Sequence, residues 1–282
     1  MKSVLLNSVR WLDTCPILAA SAIFLMIAGG CSNSNSETEA EQANAIPITE
    51  EATGQPQTIN VLTEDEKNDG WKLLFDGMTT NEWTDTKGKG FPEKGWLIED
   101  GILTVLGSSG AGHASGGGDI ITKNQYSNFE LSLEFKIPRG ANSGIKYFVV
   151  NDFPDQKGNY LGLEYQIIDD DNHADAKLGV DGNRTIASLY DMIPAKNKTV
   201  KPVGEWNHAK IIVNGNHVEH WLNGGKVVGY ERGSNEFRAL VQASKYKKLQ
   251  GFGEMTEGHI LLQGHGDTVH YRNIKIRNLA GA

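Results

Sequence analysis

The chain has 282 residues, of which 22% are charged and 39% hydrophobic, and this balance is that of a soluble globular protein. Its formal net charge of −8 is unevenly distributed, because nine acidic side chains and a single lysine fall within residues 32–70. Residues 71–282 are therefore close to neutral and lack the basic character that nucleic-acid binding requires. We predict no nucleic-acid partner, and a neutral body suits an uncharged substrate.

The first 31 residues have the pattern of a secretory signal. Lys2 and Arg10 precede an apolar stretch at 17–28, and two glycines then lead to Cys31. The apolar stretch is shorter than a typical membrane-spanning helix. Because Gly-Gly-Cys resembles a bacterial lipoprotein processing site, we predict that Cys31 carries a lipid and anchors the exported protein to a membrane, in our interpretation the outer membrane. Plain cleavage, with Cys31 as an ordinary residue, is the alternative.

Three segments follow from this pattern. Residues 1–30 are predicted to be the signal peptide, 31–62 a disordered acidic tether, and 63–282 one folded domain. The domain contains no cysteine, so its core must stabilise it without a disulfide. Thr63 and Glu66 have the spacing of a capping box, which predicts a short helical turn where the domain begins.

The domain has the pattern of an all-β protein. Residues 129–137 alternate strictly between apolar and polar side chains, as a half-buried antiparallel strand does. Asn-Gly pairs at 214–215 and 223–224 predict hairpins, and helical spacing recurs only at 236–244. We therefore predict a sandwich of two antiparallel sheets. Further strands are predicted at 71–75, 96–99, 102–106, 143–150, 163–168, 208–214, 216–221, 226–230, 259–263 and 268–276.

Polar side chains with catalytic potential concentrate in the segment 162–173. In a strand, Glu164 and Gln166 point to one face, and the apolar side chains between them point to the other. That polar face is either a sugar-binding surface or simply a solvated one. Asp169–Asp171 are either Ca²⁺ ligands or a solvated turn.

Two further segments carry candidate site residues. Gln263 and His265 share one side if their strand continues, and Arg272 follows in the next strand, where it could clamp a substrate oxygen. Asn142 and Lys146 belong to a bend that leads into a strand. The glycine-rich residues 107–118 lack the Lys-Ser/Thr ending of a phosphate-binding loop and predict a mobile loop.

These segments also carry a family resemblance. Gly-Leu-Glu-Tyr-Gln-Ile-Ile-Asp-Asp at 162–170 and Gln-Gly-His-Gly at 263–266 are its densest parts, and matching stretches cover about residues 63–279 in order. Together they resemble the 3-keto-disaccharide hydrolase family. The resemblance implies a concanavalin A-like jelly roll and cleavage of glycosides that are already oxidised to a ketone at sugar carbon 3. The other segments that carry it are 69–77 with Trp83, 119–122 with 129–130, 142–145, 204–207, 220–224 and 271–274.

The implied chemistry begins with removal of the carbon 2 proton, which the ketone acidifies. The resulting enolate expels the group on carbon 1, and water then adds back. We predict Glu164 or His265 as the base, and Arg272, Lys146 or a bound divalent metal ion as the group that stabilises the enolate. The remaining predicted substrate-binding residues are Asn142, Gln166, Asp170, Gln263 and Tyr190.

Three other functions compete with this prediction. A lyase or hydratase would catalyse half of the route, and a carbohydrate-binding lipoprotein would use the same sandwich without catalysis. An endoglycanase of similar fold would need paired acidic residues at alternating strand positions. Glu164 and Gln166 do not supply that pair, so this alternative ranks last.

Overall fold

In the computed structural model of this chain, the described residues are 58–108, 118–151, 153 and 158–280. The predicted signal peptide, Cys31, most of the predicted tether and positions 109–117 of the glycine-rich segment lie outside these ranges. No helix within them is long and apolar enough to cross a membrane.

Two antiparallel sheets form a β-sandwich, which confirms the predicted all-β jelly roll. Each strand is numbered in chain order. The larger sheet contains β1 (Lys72–Leu73), β3 (Trp96–Glu99), β4 (Ile102–Val105), β6 (Phe129–Lys136), β9 (Asn207–Asn214), β10 (His217–Leu222), β11 (Gly225–Glu231) and β13 (Val269–Asn278). The smaller sheet contains, in spatial order, β2 (Trp83–Asp85), β5 (Ile120–Thr122), β12 (His259–Leu262), β7 (Asn142–Val150) and β8 (Leu161–Ile168).

The core lies between the sheets and follows from strand alternation. In β6, the side chains of Phe129, Leu131, Leu133 and Phe135 are each at most 1% exposed, because they share the inner face. Tyr147 of β7 meets Phe129 from the smaller sheet, with their ring centroids 6.4 Å apart. The alternating apolar pattern of 129–137 therefore predicted the core correctly.

Both predicted hairpins are present in the larger sheet. The loop between β9 and β10 consists of Gly215 and Asn216, one residue later than predicted, and Gly215 has the positive φ of 60° that its position requires. Between β10 and β11, Asn223 and Gly224 both have positive φ, as a type I′ turn demands.

Two α-helices flank the described sandwich. The first, α1 (Glu64–Asn68), begins with the predicted capping box, in which Thr63 and Glu66 bond each other's backbone reciprocally. The second, α2 (Asn235–Ala243), is capped by Ser234 and agrees with the predicted helix to within one residue. The chain that leaves α2 runs to one side of the pocket described next.

Candidate active site

One pocket of about 350 Å³ lies on the outer face of the smaller sheet, opposite the face that forms the core. A volume of this size suits a small organic ligand. Its floor comes from β8, β7 and the end of β12, and its walls come from the segments 173–190 and 245–246. The lining residues are Asn142, Lys146, Leu161, Gly162, Glu164, Gln166, His173, Asp175, Tyr190, Lys245, Tyr246, Gln263 and His265.

Glu164 lies on the pocket floor in the middle of β8. Strand alternation sends Leu163 and Tyr165 into the core and Glu164 outward. Glu164 is nevertheless only 5% exposed, and within the described residues its carboxylate accepts no hydrogen bond. The alternative of a solvated outer strand is therefore wrong, and a buried carboxylate with no internal partner is placed to act on a ligand.

Gly144 makes room for this carboxylate. It lies on β7 beside Glu164, and a Cβ at this position would approach the Glu164 Oε1 atom to 2.6 Å. Any larger residue would have to displace the carboxyl group. Absence of a side chain at 144 thus fixes where the carboxylate lies on the floor.

Gln166 also lies on the floor and has no partner for either polar atom of its side-chain amide. It is 1% exposed, and both Nε2 and Oε1 are buried without a hydrogen bond. Each buried group left unsatisfied costs about 1–3 kcal/mol. A bound molecule that offers both a donor and an acceptor, such as a sugar hydroxyl, would satisfy the amide.

Two more polar side chains come from β7. Lys146 is paired directly with Glu164 across the two strands, yet the two side chains form no ion pair. Asn142 is 5% exposed, and its backbone donates to Asp267, while its side-chain amide makes no hydrogen bond to the described residues. The floor therefore presents a carboxyl group, an amine and two amides whose side chains are not bonded to one another.

A network centred on Arg184 holds the wall that contains Tyr190. Arg184 donates to Asp175 at 2.8 Å and to Asp191 at 2.7 Å, and the Tyr190 hydroxyl donates to Asp175 at 2.8 Å. Burial raises the pKa of Tyr190, and its hydrogen bond to Asp175 raises it further. Burial alone would raise the pKa of Asp175, but the bonds from Tyr190 and Arg184 outweigh it and hold the pKa below its usual value. The ring of Tyr190 is thereby fixed.

The same wall pairs with the free edge of β8. All three bonds join backbone groups. The N–H of Ala187 donates to the carbonyl of Gln166, the N–H of Gln166 donates to the carbonyl of Ser188, and the N–H of Tyr190 donates to the carbonyl of Glu164. Ala187 adopts a positive φ of 65° to make this turn. Wall and floor are thus one hydrogen-bonded unit around the two central polar residues.

Lys245 follows α2 directly and packs against the wall that contains Tyr190. Its amine lies 4.0 Å from the centre of the Tyr190 ring and 5.1 Å from that of Tyr246. The side chain is exposed at the pocket, yet the surrounding protein partly desolvates the amine and lowers its pKa, while the charge of Glu164 opposes this shift. No carboxylate of the described residues forms an ion pair with it.

Comparison with known proteins identifies the family. Residues 70–277 match the family described as 3-keto-alpha-glucoside-1,2-lyase-like domains. The chain belongs to this family. It is also 38% identical over 274 residues to a 3-keto-disaccharide hydrolase of Bacteroides thetaiotaomicron, an alignment that covers 90% of this chain and 94% of the relative.

Solved structures agree with membership of the 3-keto-alpha-glucoside-1,2-lyase-like family. A candidate glycosyl hydrolase of Parabacteroides distasonis is 34% identical with a TM-score of 0.69, and the match covers 79% of this chain and all of that one. A second from the same organism is 31% identical with a TM-score of 0.55, covering 74% of this chain and 99% of the other. The predicted family resemblance is confirmed. The prediction of a glycoside-cleaving enzyme is confirmed at the level of this family.

Most residues predicted from the family resemblance do come together. Glu164, His265, Asn142, Lys146, Gln166, Gln263 and Tyr190 all line the pocket. His265 is exposed, and Gln263 donates its backbone N–H to Gly144. Their roles stay predictions, but their shared location is what a common site requires.

Two predicted residues lie elsewhere. Arg272 is on β13 of the larger sheet, where it pairs with Glu134 at 2.5 Å and covers the ring of Trp206 at 4.2 Å. Asp170 accepts hydrogen bonds from the Ile186 backbone and from Lys198, outside the pocket lining. The expectation that these two side chains join the site is therefore corrected, because each is committed to other partners.

Among the candidate Ca²⁺ ligands at 169–171, the carboxylates of Asp169 and Asp170 are already hydrogen-bonded within the protein, and Asp171 is exposed. Asp169 accepts from the backbones of Gly140, Asp171 and Asn172 and from the Asn172 side chain. Across the described residues, no three His, Cys, Asp or Glu side chains are grouped as a metal site would need. Asp169 instead ties a turn together, and a divalent metal stays a prediction without assigned ligands.

Apart from Tyr190, sequence reasoning missed the residues that form and support the walls of this pocket. Lys245, Tyr246, Asp175 and the supporting Arg184 and Asp191 were not predicted. Asp175 lies in a short 3₁₀ helix (Ala174–Lys177), and the others lie in irregular segments after that helix and after α2, where no spacing rule places a side chain.

Proposed function

We propose that this chain cleaves glycosides whose sugar carries a ketone at carbon 3, with Glu164 as the general base. One observation carries this proposal: Glu164 is buried on the floor of a sugar-sized pocket, and the described residues leave its carboxylate without a hydrogen bond. Such a carboxylate is free to accept a proton from a bound substrate. The names of the family and of its Bacteroides relative support the substrate class.

The reaction starts at carbon 2. Glu164 takes the proton there, and the electron pair delocalises onto the ketone oxygen as an enolate. The amides of Gln166 and Asn142 orient the sugar through its hydroxyls, and Lys146 contributes positive charge to the floor. When the enolate collapses, the bond from carbon 1 to the departing oxygen breaks and a double bond forms between carbons 1 and 2.

Departure and hydration complete the proposed route. His265 is exposed at the pocket and can protonate the departing oxygen, after which water adds to carbon 1 and a proton returns to carbon 2. The family is named for the elimination step and the relative for net hydrolysis, and these names describe stages of one route. We propose net hydrolysis.

A retaining or inverting glycosidase mechanism is disfavoured by the floor itself. Such enzymes need two carboxylic side chains across the scissile bond. The residue beside Glu164 on the same face of β8 is Gln166, whose amide is neither a nucleophile nor a proton donor of that kind. The other carboxylate of the lining, Asp175, is already bonded by Arg184 and by the Tyr190 hydroxyl. This supports proton abstraction from a ketone rather than direct displacement.

The proposal includes an exported location. The signal-like residues 1–30 and Cys31 support lipid attachment to a bacterial membrane, with the acidic residues 31–62 as a spacer. An oxidised disaccharide or glycoside outside the cytoplasm would then be the substrate.

Substitution of Glu164 tests the proposed base. Glu164→Gln keeps the shape of the side chain but cannot accept the carbon 2 proton. We expect the rate of cleavage of p-nitrophenyl α-glucoside oxidised at carbon 3 to fall by about 10²–10⁴-fold. Release of p-nitrophenol measures this rate, and the unoxidised glucoside should not react with either protein.

The matched control is Glu99→Gln, which makes the same change at an exposed position of β3. It should retain full activity. Unchanged turnover by Glu164→Gln would contradict the assignment of the base, and cleavage of the unoxidised glucoside at an equal rate would contradict the substrate class.

A further inference from the structure

We propose that Lys245 is a catalytic residue whose ammonium group donates a hydrogen bond to the ketone oxygen as the enolate forms. This inference rests on the function proposed above. It assigns to a wall residue the role that the sequence suggested for Arg272. The argument depends on where Lys245 lies, what holds it there, and what the reaction needs at that place.

The amine of Lys245 is available to a ligand. It lines the pocket with Glu164, and no hydrogen bond or ion pair to the described residues occupies it. Its neighbours are the faces of two aromatic rings, those of Tyr190 and Tyr246. An aromatic face attracts a cation without using its N–H donors, so these stay free for a substrate oxygen.

The position of the amine is fixed from two directions. The backbone N–H of Lys245 donates to Asp191 Oδ2 at 2.7 Å, and the other oxygen of that carboxylate accepts from Arg184 at 2.7 Å. Arg184 also bonds Asp175, which accepts the hydroxyl of Tyr190. One guanidinium therefore fixes both the backbone of Lys245 and the ring beneath its amine.

The chemistry needs a cation that is separate from the base. Negative charge develops on the ketone oxygen while Glu164 takes the neighbouring proton, so a fixed positive donor there lowers the barrier. Arg272 is on the other sheet and paired with Glu134. Lys146 lies on the floor directly across from Glu164, whereas Lys245 projects from the wall. The two lysines can thus contact different oxygens of one sugar.

The step involves no covalent bond to Lys245. The carbon 2 proton goes to Glu164, its electron pair moves onto the ketone oxygen, and a Lys245 N–H donates to that oxygen. When this electron pair moves back from the ketone oxygen, a double bond forms between carbons 1 and 2 and the bond from carbon 1 to the departing oxygen breaks. Lys245 keeps its proton throughout. Partial desolvation of the amine strengthens its attraction to the oxyanion.

Removal of the amine tests the proposal on the full-length enzyme with p-nitrophenyl α-glucoside oxidised at carbon 3. Lys245→Met keeps the length of the side chain and its contact with the rings. We expect kcat to fall by about 10²–10³-fold with a much smaller change in KM. Lys248→Met is the matched control, because Lys248 is exposed and lies outside this pocket, and it should behave as wild type.

Two further measurements separate catalysis from structure. Ethylamine should restore part of the activity of Lys245→Ala, which a merely structural lysine would not allow. Treatment of the working enzyme with borohydride should leave it unmodified, because no imine forms.

Three outcomes would overturn the proposal. They are wild-type kcat in Lys245→Met, no rescue by ethylamine, and a reduced sugar adduct on Lys245. A wild-type enzyme that leaves the oxidised glucoside intact would overturn the proposed function as well, so the two failures are distinguishable.

Discussion

Because Gly144 has no side chain, the carboxyl group of the proposed base, Glu164, has room to lie beside it. A Cβ on Gly144 would lie 2.6 Å from Oε1 of Glu164 and 3.0 Å from its carboxyl carbon. Gly144 has no positive φ, so its backbone would accept alanine without strain. The requirement for glycine therefore comes from the neighbouring carboxylate and not from the conformation of the chain.

Alanine at this position should displace the carboxylate without unfolding the protein. We expect Gly144→Ala to lower kcat for the oxidised glucoside by at least about tenfold, because small misplacements of a reacting group are costly. The thermal midpoint should change little. Gly229→Ala is the control, since a Cβ there meets nothing within 4 Å and the backbone φ is also not positive. Equal kcat in the two variants would contradict this account of Gly144.

At the scale of elements, regular strands were predictable and the pocket walls were not. Strict alternation put Glu164 and Gln166 on the correct face of β8. The error at Arg272 arises because the chain leaves the smaller sheet after Leu262 and enters the larger sheet at Val269. Outward side chains on these two strands point to opposite sides of the sandwich, and sequence spacing does not reveal that change.

The segment from 174 to 193 is held in place by ion pairs and has no repeating pattern of apolar side chains. Arg184 joins Asp175 and Asp191, and the three side chains are 21%, 19% and 8% exposed. Removal of one partner from such a buried cluster leaves uncompensated charge behind. The segment also supports Tyr190 and Lys245, so its geometry determines the shape of the pocket.

Arg184→Met should therefore destabilise both the fold and the site. We expect the free energy of unfolding to fall by about 2–4 kcal/mol, somewhat less than for a fully buried pair, and KM for the oxidised glucoside to rise. Urea unfolding and steady-state kinetics measure the two effects. Arg238→Met is the control, because Arg238 pairs with Glu254 while 56% exposed, and loss of such a pair costs about 0–1 kcal/mol. Equal destabilisation by both would contradict the wall's dependence on Arg184.

At the scale of the whole molecule, a buried hydrogen-bonded chain connects the two sheets. His220 on β10 bonds the hydroxyl of Tyr147 on β7 at 2.8 Å, and Tyr147 bonds Tyr230 on β11 at 2.7 Å. The other nitrogen of His220 donates to the carbonyl of Ala187 in the wall, so Nε2 accepts from Tyr147. Burial lowers the pKa of His220 to about 4.

This histidine should make the fold sensitive to mild acid. Between about pH 6.5 and 4 the unfolded state binds a proton at His220 that the folded state excludes. The free energy of unfolding therefore falls as pH falls, with a contribution from His220 of up to about 1.4 kcal/mol per pH unit. Urea unfolding of wild type and His220→Gln at pH 7, 6 and 5 should give a shallower slope in the variant. Equal slopes of the free energy of unfolding against pH in the two proteins would show that His220 does not cause the loss of stability in acid.

The pairing of the wall with β8 has a consequence for solubility. β8 is the last strand of the smaller sheet, and an uncovered edge strand is a template for joining another chain. Residues 187–190 occupy that edge through backbone hydrogen bonds to Glu164 and Gln166. The segment that forms a wall of the candidate pocket therefore also covers the edge against pairing with another chain. Substitutions that loosen it to admit a larger sugar would expose an aggregation-prone edge, so a wider pocket would come at the cost of a greater tendency to aggregate.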